Sequence, residues 1–390
     1  MSNIEKLFQS YTDNFFVKLT IAGNSVDMGM KNISFFEFDS NTSGEASICN
    51  IKWKSYCYDS DDNFELNDKF SSIKIGSPFE VVAGYQGSLY ASASEKIFSG
   101  FVFSSSIEIK DGISHIGVSG MDAKIWLMSN KTTEFKGLEQ KYSDIVKNIL
   151  GKYSSQSSGT EINISDEPNS IRPGLHQNNE SDFNFLRRIA DMTGCFFYVL
   201  DGKFMFESIG SNSKSNLEIH PIGIVSENEF IKNIKFSSNL VGIPKSVSVN
   251  FTNNEEYSKE NQSTEVKSST KIGSGKVADN FTSNITNSIN VVNFNITSQE
   301  DAKFIANSIY RKKSLNFVNC EITFKFLPSV KVGSSANMSG FGAPLDNNYI
   351  ITSVNHKYDG NSFETTLELS SDSMTQMQSY GSLSGFSSFF

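Results

Sequence analysis

The chain has 390 residues, with 34 Lys and Arg against 43 Asp and Glu, and a formal net charge of -9. Arginine occurs only at Arg172, Arg187, Arg188 and Arg311, which excludes the clustered positive charge that binds duplex nucleic acid through counterion release. An apolar content of 38% with 33 Phe excludes a disordered chain, and no run of about 18 apolar residues marks a membrane segment.

Met1 to Phe16 lacks a basic region followed by an apolar one, so no signal peptide is expected. Cys49, Cys57, Cys195 and Cys320 are too few for a disulfide framework, which places folding in a reducing cytoplasm. Residues 1–130 read as a first β domain with an N-terminal segment. Val17, Leu19 and Ile21 alternate with polar residues, the period of a half-buried strand. The same alternation recurs at Phe36-Phe38, Ile73-Ile75 and Ile107-Ile109. Asp111-Gly112 then supplies a tight hairpin turn ahead of Ile116 and Val118.

Residues 131–217 change period and form an α+β middle domain. Tyr142, Ile145, Val146, Ile149 and Leu150 mark one face of a helix. A second helix is predicted from Ser181 as N-cap, with Asp182 in its first turn, to a stop at Gly194. Cys195–Leu200 and Lys203–Phe206 are two apolar runs joined by Asp201-Gly202, the clearest hairpin in the chain. Residues 218–372 return to strands and read as a second β domain. They hold one helix, capped by Ser298, acidic at Glu300 and Asp301, apolar at Ala302, Ile305, Ala306 and Ile309, and basic at its end. The polar stretch 253–290 reads as a long solvated loop or ragged edge strands. Residues 373–390 form a C-terminal tail.

The two β regions share signals in the same order. Ile73-Lys-Ile-Gly-Ser77 matches Val330-Lys-Val-Gly-Ser334; Asp111-Gly112 followed by Asp122 matches Asp359-Gly360 followed by Asp372. The implied architecture is two related, curved β modules around an α+β insert, closed to hide their edges.

The chemical motifs in the chain read as structural. Asp59-x-Asp61-x-Asn63 starts like a calcium loop, but Phe64 and Phe70 stand where the turn glycine and the bidentate glutamate belong. Gly273-Ser-Gly-Lys276 ends like a phosphate loop without its first glycine or its magnesium-binding hydroxyl. His115, His176, His220 and His356 are scattered, with no zinc-type spacing; His356 reads as a hydrogen-bonded surface histidine on a strand. Cys195 with His176 could be a nucleophile and base, but opening an apolar strand makes Cys195 a buried, inert thiol. Glu180 and Asp182 could be paired catalytic carboxylates; they read instead as helix N-terminal acids, with Asp191 paired to Arg187 or Arg188. No catalytic, metal or cofactor-binding residue is assigned, and no enzyme activity is expected. On the tail, Phe386, Phe389 and Phe390 are candidates for binding a partner's pockets, against a disordered end.

One stretch carries a family likeness. Gln177, Asn179, Glu180, Ser181, Asp182, Phe185, Leu186, Arg188, Ile189 and Gly194 stand in the pattern of the middle segment of phage late control D and VgrG spike proteins, which this chain resembles. Phe98–Val102, Tyr142–Ile149, Tyr349–His356 and Glu364–Leu369 resemble the family's other segments in order. The resemblance implies a mainly β fold with an α+β insertion: two tudor-like β-barrels flanking a middle α/β domain. It also implies a structural baseplate hub of a contractile injection system, phage tail or tailocin. Such a hub is a homotrimer whose paired barrels adapt a hexameric inner tube, or its tube-initiator protein, to a trimeric spike. About 18 residues follow Asp372, too few for the spike domains of VgrG, so a separate spike protein is expected, with other baseplate proteins as further partners. The implied location is the bacterial cytoplasm during synthesis and the tail particle afterwards. The alternatives are a tail-associated cell-wall hydrolase, which would need perturbed carboxylates or a metal in a pocket, and a glycan- or receptor-binding tail protein, which would need exposed aromatic platforms.

Overall fold

The computed structural model describes residues 15–26, 28, 32–56, 73–85, 94–129, 131–136, 140–168, 175–211, 216–221, 231–252, 261–266, 272–273, 276–277, 288–292, 296 and 298–374. The fold is mainly β. Its first strands are β1 (Phe15–Ile21), β2 (Asn24–Val26), β3 (Ile33–Asn41), β4 (Ile48–Tyr56), β5 (Pro78–Tyr85), β6 (Ser94–Lys110) and β7 (Ile113–Met121). The turn between β6 and β7 is Asp111-Gly112 with φ of 52° and 75°, the doubly left-handed geometry that the dipeptide predicts. Neighbours in space run β3-β4-β7-β6-β5-β1-β2. The sheet rolls, because Phe15 of β1 lies 5.1 Å from the Tyr358 ring and 5.2 Å from Phe363, beyond the other end of that series. Leu19, Phe36, Ile51, Trp53, Phe79 and Val81 fill the interior.

The middle of the chain is built from α1 (Lys124–Ser129), β8 (Lys131–Lys136), α2 (Tyr142–Gly151), β9 (Gly159–Asn163), β10 (Leu175–Ser181), α3 (Asp182–Thr193), β11 (Cys195–Leu200) and β12 (Lys203–Ser208). Both expected helices form. Ser181 Oγ accepts from Asn184 N–H at 3.2 Å, and Gly194 closes α3 at φ 61°. The β11–β12 hairpin is buried on both faces. Phe197, Phe204 and Phe206 point into the middle core, whereas Phe196, Tyr198 and Met205 point into the second β core. This double burial explains an apolar run that does not alternate.

The remaining strands are β13 (Asn216–Ile219), β14 (Ile231–Ser238), β15 (Ser246–Thr252), β16 (Asn261–Val266), β17 (Lys276–Val277) and β18 (Ser288–Val292), followed by α4 (Gln299–Ser314) and then β19 (Val318–Lys325), β20 (Ser335–Met338), β21 (Asn347–Tyr358), β22 (Phe363–Ser371) and β23 (Ser373–Met374). Within 253–290 the described residues include β16, which pairs with β15, and the start of β18, which pairs with β15 on its other side. Ser298 caps α4 as expected, accepting from Asp301 N–H at 3.1 Å. Helix α4 does not pack on the second sheet. Its Ala302, Phe304, Ile305 and Ala306 join Val247 and Val249 of β15 in the core built around α3 and the hairpin.

Strands β14, β19, β22, β21, β20 and β13 continue the first sheet without a break, making one sheet of 13 strands. The joint is antiparallel pairing of β21 with β3, from Ser353↔Asn41 to Tyr358↔Phe36. No helix among the described residues is long and apolar enough to cross a membrane.

Candidate functional site

The residues that could have carried catalysis are tied into structure. Cys195 is buried, and burial pushes its thiol up to about 11; His176 is exposed on β10. Asp182 is buried and accepts from Tyr153 Oη and Gln177 Nε2, each at 2.8 Å. Glu180 accepts from Arg188 Nη2 at 2.6 Å. Asp191 does not pair with either arginine: Arg188 is turned to Glu180 and to the His176 carbonyl, and Asp191 meets Lys312 of α4 instead. His356 is also a correction. It is buried, not on the surface, because β3 covers the edge of its strand. Its Nδ1 lies 2.8 Å from Thr365 Oγ1, and its ring stacks on Phe38 at 5.7 Å. Burial first, and the Lys331 cation second, push it down to about 3.

Among the described residues, no three metal-ligating side chains gather, and Cys49, Cys195 and Cys320 are free and buried. Asp59, Asp61 and Asn63 lie outside the described residues, as do Phe386, Phe389 and Phe390 of the tail. A groove of about 890 Å³ runs beside the joint between β3, β21, α3 and α4. Its wall carries both signs, with Arg188, Lys312 and Lys313 facing Asp39, Glu45 and Glu368.

The feature that organises the molecule is a repeat. In chain order β3, β4, β5, β6, β7 correspond to β14, β19, β20, β21, β22, and each set pairs antiparallel in the same spatial sequence; the strand beyond differs, since β1 pairs antiparallel with β5 whereas β13 pairs parallel with β20. Details repeat below the level of strands. Gly76 and Gly333, at φ 85° and 80°, make the turn before β5 and before β20. Gly76 N–H donates to the Val102 carbonyl at 2.7 Å, and Val102 N–H donates to the Ser77 carbonyl at 2.9 Å. Gly333 N–H donates to the Ile351 carbonyl at 2.8 Å, and Ile351 N–H donates to the Ser334 carbonyl at 2.9 Å. A bulge then follows each central residue, between Val102 and Ser104 against β7 and between Ile351 and Ser353 against β22. The outer pairs carry a second matched bulge, Ile33/Phe35 on β3 and Ile231/Asn233 on β14. A bulge re-aims a strand at a fixed position and is a specific structural feature, so two at matching places define one module built twice.

The buried acids signalled by the sequence play matching parts, although the bulge register sets Asp122 against Ser371, one residue before Asp372. Asp122 accepts from Ser47 N–H at 2.7 Å and from Lys124 N–H at 2.9 Å, fastening the β3–β4 connection. Asp372 accepts from Ile272 N–H at 2.9 Å and Gly273 N–H at 3.1 Å, fastening the much longer β14–β19 connection. The resemblance of Gly273–Lys276 to a phosphate loop therefore covers a segment whose first amide is already held by a carboxylate.

The modules differ where they present edges. In the second, β21 pairs with β20 over its first half and with β3 over its second. In the first, β6 pairs with β5 only from Ser94 to Phe101 on that side; Ser104–Lys110 have no strand there among the described residues. Strand β14, the counterpart of β3, is likewise a terminal strand of the sheet. The sequence reads Ile107-Ile109 as a strand but does not show that, among the described residues, no strand lies along its edge. The alternation Ile234-x-Phe236 was the available signal for β14.

Solved structures share this fold. The 43 kDa tail protein of prophage MuSo2 from Shewanella oneidensis is 12% identical, with a TM-score of 0.61 over 90% of this chain and 97% of that one. A tail protein from Neisseria meningitidis MC58 is 13% identical, with a TM-score of 0.62 over 92% and 96%. The E. coli c3393 protein is described as a component of the type VI secretion system with structural similarity to the T4 tail proteins gp27 and gp5. It is 12% identical, with a TM-score of 0.58 over 93% and 79%. The chain thus has the fold of phage tail and type VI secretion proteins. A family model described as the Alg8 N-terminal domain matches residues 57–360, most of the chain, and the chain belongs to that family. No curated protein matches it.

Proposed function

We propose that this protein is a non-enzymatic structural baseplate hub of a contractile tail or injection machine, assembled as a homotrimer. Its role is to adapt the sixfold inner tube to a threefold spike, with other baseplate proteins around it. The observation that carries this reading is the repeated module, matched in strand order, turn hydrogen bonds and bulges. A surface that meets a symmetric partner must repeat with that partner's symmetry. Two modules per chain in a trimer offer six similar surfaces to a hexamer, while the three middle regions keep threefold spacing for a spike. The fold shared with tail and type VI secretion proteins supports the same assignment. Phe386, Phe389 and Phe390 would add a tethered apolar contact to a partner, and deletion of 381–390 should then reduce spike co-purification.

The test is co-expression of the full chain with the tube and spike proteins of its own gene cluster, followed by native mass spectrometry and negative-stain imaging. A three-copy ring with tube on one face and spike on the other is the expected result. A chain that stays monomeric beside both partners, or a ring of another order, would overturn it.

A further inference from the structure

We infer that the open edge of β6 pairs with β14 of a second copy, rebuilding between chains the joint that β21 and β3 make within one. This deepens the trimeric reading and rests on it. The two matched bulges fix the register. Aligning Ser104 with Ser353 puts Ile107, Glu108 and Ile109 where His356, Lys357 and Tyr358 stand. Aligning Asn233 with Phe35 puts Ile234, Lys235 and Phe236 where Phe36, Glu37 and Phe38 stand.

The known joint pairs His356↔Phe38, Lys357↔Glu37 and Tyr358↔Phe36. Carried over, it pairs Ile107 with Phe236, Glu108 with Lys235, and Ile109 with Ile234 of the next copy. Both apolar pairs fall on the side that is buried in the template. The charged pair falls on the outer side and remains opposite in sign, although each strand has exchanged its charge. Lys235 also faces Glu321 of β19 within its own chain, where the counterpart Glu37 faces Asn50; the exchange at Glu108 then keeps opposite signs across the proposed contact, since like charges directly opposite destabilise a ladder.

Exposure gives independent support. Among the described residues, four large hydrophobic side chains are exposed: Ile75, Ile109, Leu240 and Val241. Three of the four lie on these two edges, Ile109 on β6 and the other two just beyond the end of β14. In the template, the segment just beyond β3 extends the joint, with Thr42 N–H donating to the Thr352 carbonyl at 2.9 Å; Leu240 is the counterpart of Thr42. Open strand edges are sites of association that folded proteins otherwise blunt, and these two carry apolar side chains at their exposed ends. The contact joins unlike surfaces head to tail, so it generates a ring when the rotation closes.

The test uses the full chain. Ser106 and Ser237 take the places of Asn355 and Asp39, which are register partners in the template. Directly opposed residues of an antiparallel pair have Cα atoms about 4.5–5.5 Å apart, within disulfide reach. The Ser106→Cys/Ser237→Cys double variant should oxidise to a covalent closed trimer on a non-reducing gel, and neither single variant should. Glu108→Lys or Lys235→Glu alone should raise the concentration needed for assembly about tenfold, and the double exchange should restore it. A trimer that forms normally but gives no cross-link and ignores both charge reversals would overturn the edge pairing while leaving the threefold hub intact. Failure of the unmodified chain to trimerise beside its tail partners would remove both.

Discussion

The two β modules share strand order, turns and bulges, yet they are not interchangeable, and the difference lies in what covers them. The second module is covered by the chain itself: the β11–β12 hairpin plugs its core, and β3 completes the edge of β21. The first has no strand along the far half of β6 among the described residues. Counterparts therefore diverge in chemistry. His356 sits stacked and buried, whereas Ile107 in the matching place is only half buried. The scaffold is the same in both, and the side chains of each copy fit its own neighbours.

The sharpest way to break the correspondence is at the two buried acids. Asp122 holds two backbone amides and stands 4.0 Å from Lys124 Nζ, which is fully buried and also donates to the Glu45 carbonyl at 2.6 Å. Burial lowers the Lys124 pKa, with the Asp122 charge opposing that shift. Asp122→Ala leaves both amides without their acceptor and the buried ammonium without its counter-charge, and should cost about 3–5 kcal/mol. Asp372→Ala removes the acceptor of Ile272 and Gly273 N–H and should cost about 1–3 kcal/mol. Chemical-denaturation curves of the two variants measure the gap. Equal costs would mean that the buried lysine adds nothing to the first fastening.

The joint gives a pH-dependent contrast. Thr365 Oγ1 accepts from Leu327 N–H at 2.8 Å, which leaves its own hydrogen for His356 Nδ1. A protonated ring cannot accept it. With the folded histidine pushed down to about 3 and the unfolded one near 6.5, the unfolded chain takes up a proton first as the pH drops. The contribution of His356 is therefore complete above about pH 6.5 and is lost progressively toward pH 3. Stability near pH 4.5 should be lower than at pH 7 by on the order of 2 kcal/mol from this residue alone. His356→Ile, which copies Ile107, should remove that slope. Urea titrations at the two pH values decide it: an unchanged slope in the variant places the acid sensitivity elsewhere.

Much of this architecture was legible locally. The Asp-Gly turns, the Ser181 and Ser298 caps and the Gly194 stop need only neighbours in sequence, and all formed. So did the matched Gly-Ser turns and terminal aspartates, because each fixes a bend or a fastening that the module needs twice. The joint was not legible. Its partners, residues 36–41 and 353–358, alternate like any half-buried strand, and alternation states which face is buried but not which strand lies alongside. The burial of His356 follows from that pairing and was missed with it. The Asp191–Lys312 pair was missed for the same reason: helical spacing offered Arg187 and Arg188, and the packing of α4 against α3 supplied a nearer cation.

The smallest expected effect concerns the outer face, where the copies differ in charge. In the first module, Ser119 Oγ bonds Asn50 Oδ1 at 2.6 Å across β7 and β4. The matching cross-strand pair in the second is Glu368 with Glu321. Burial raises the Glu368 pKa, and the charges of Asp39 and Glu321 raise it further. A raised carboxyl is a penalty carried while ionised, relieved as the pH falls below its unfolded value. Glu368→Gln should therefore stabilise the chain at neutral pH by about 0.5 kcal/mol, a figure discounted for its solvent exposure, and the gain should vanish near pH 4. Thermal melts at the two pH values measure it. The matching change Ser119→Glu should cost little, since it faces a neutral Asn50. If Glu368→Gln stabilises the isolated chain but weakens the proposed assembly with tube or spike, the acidic pair is kept for a contact that only the second module makes, and the surfaces of the proposed ring alternate in charge.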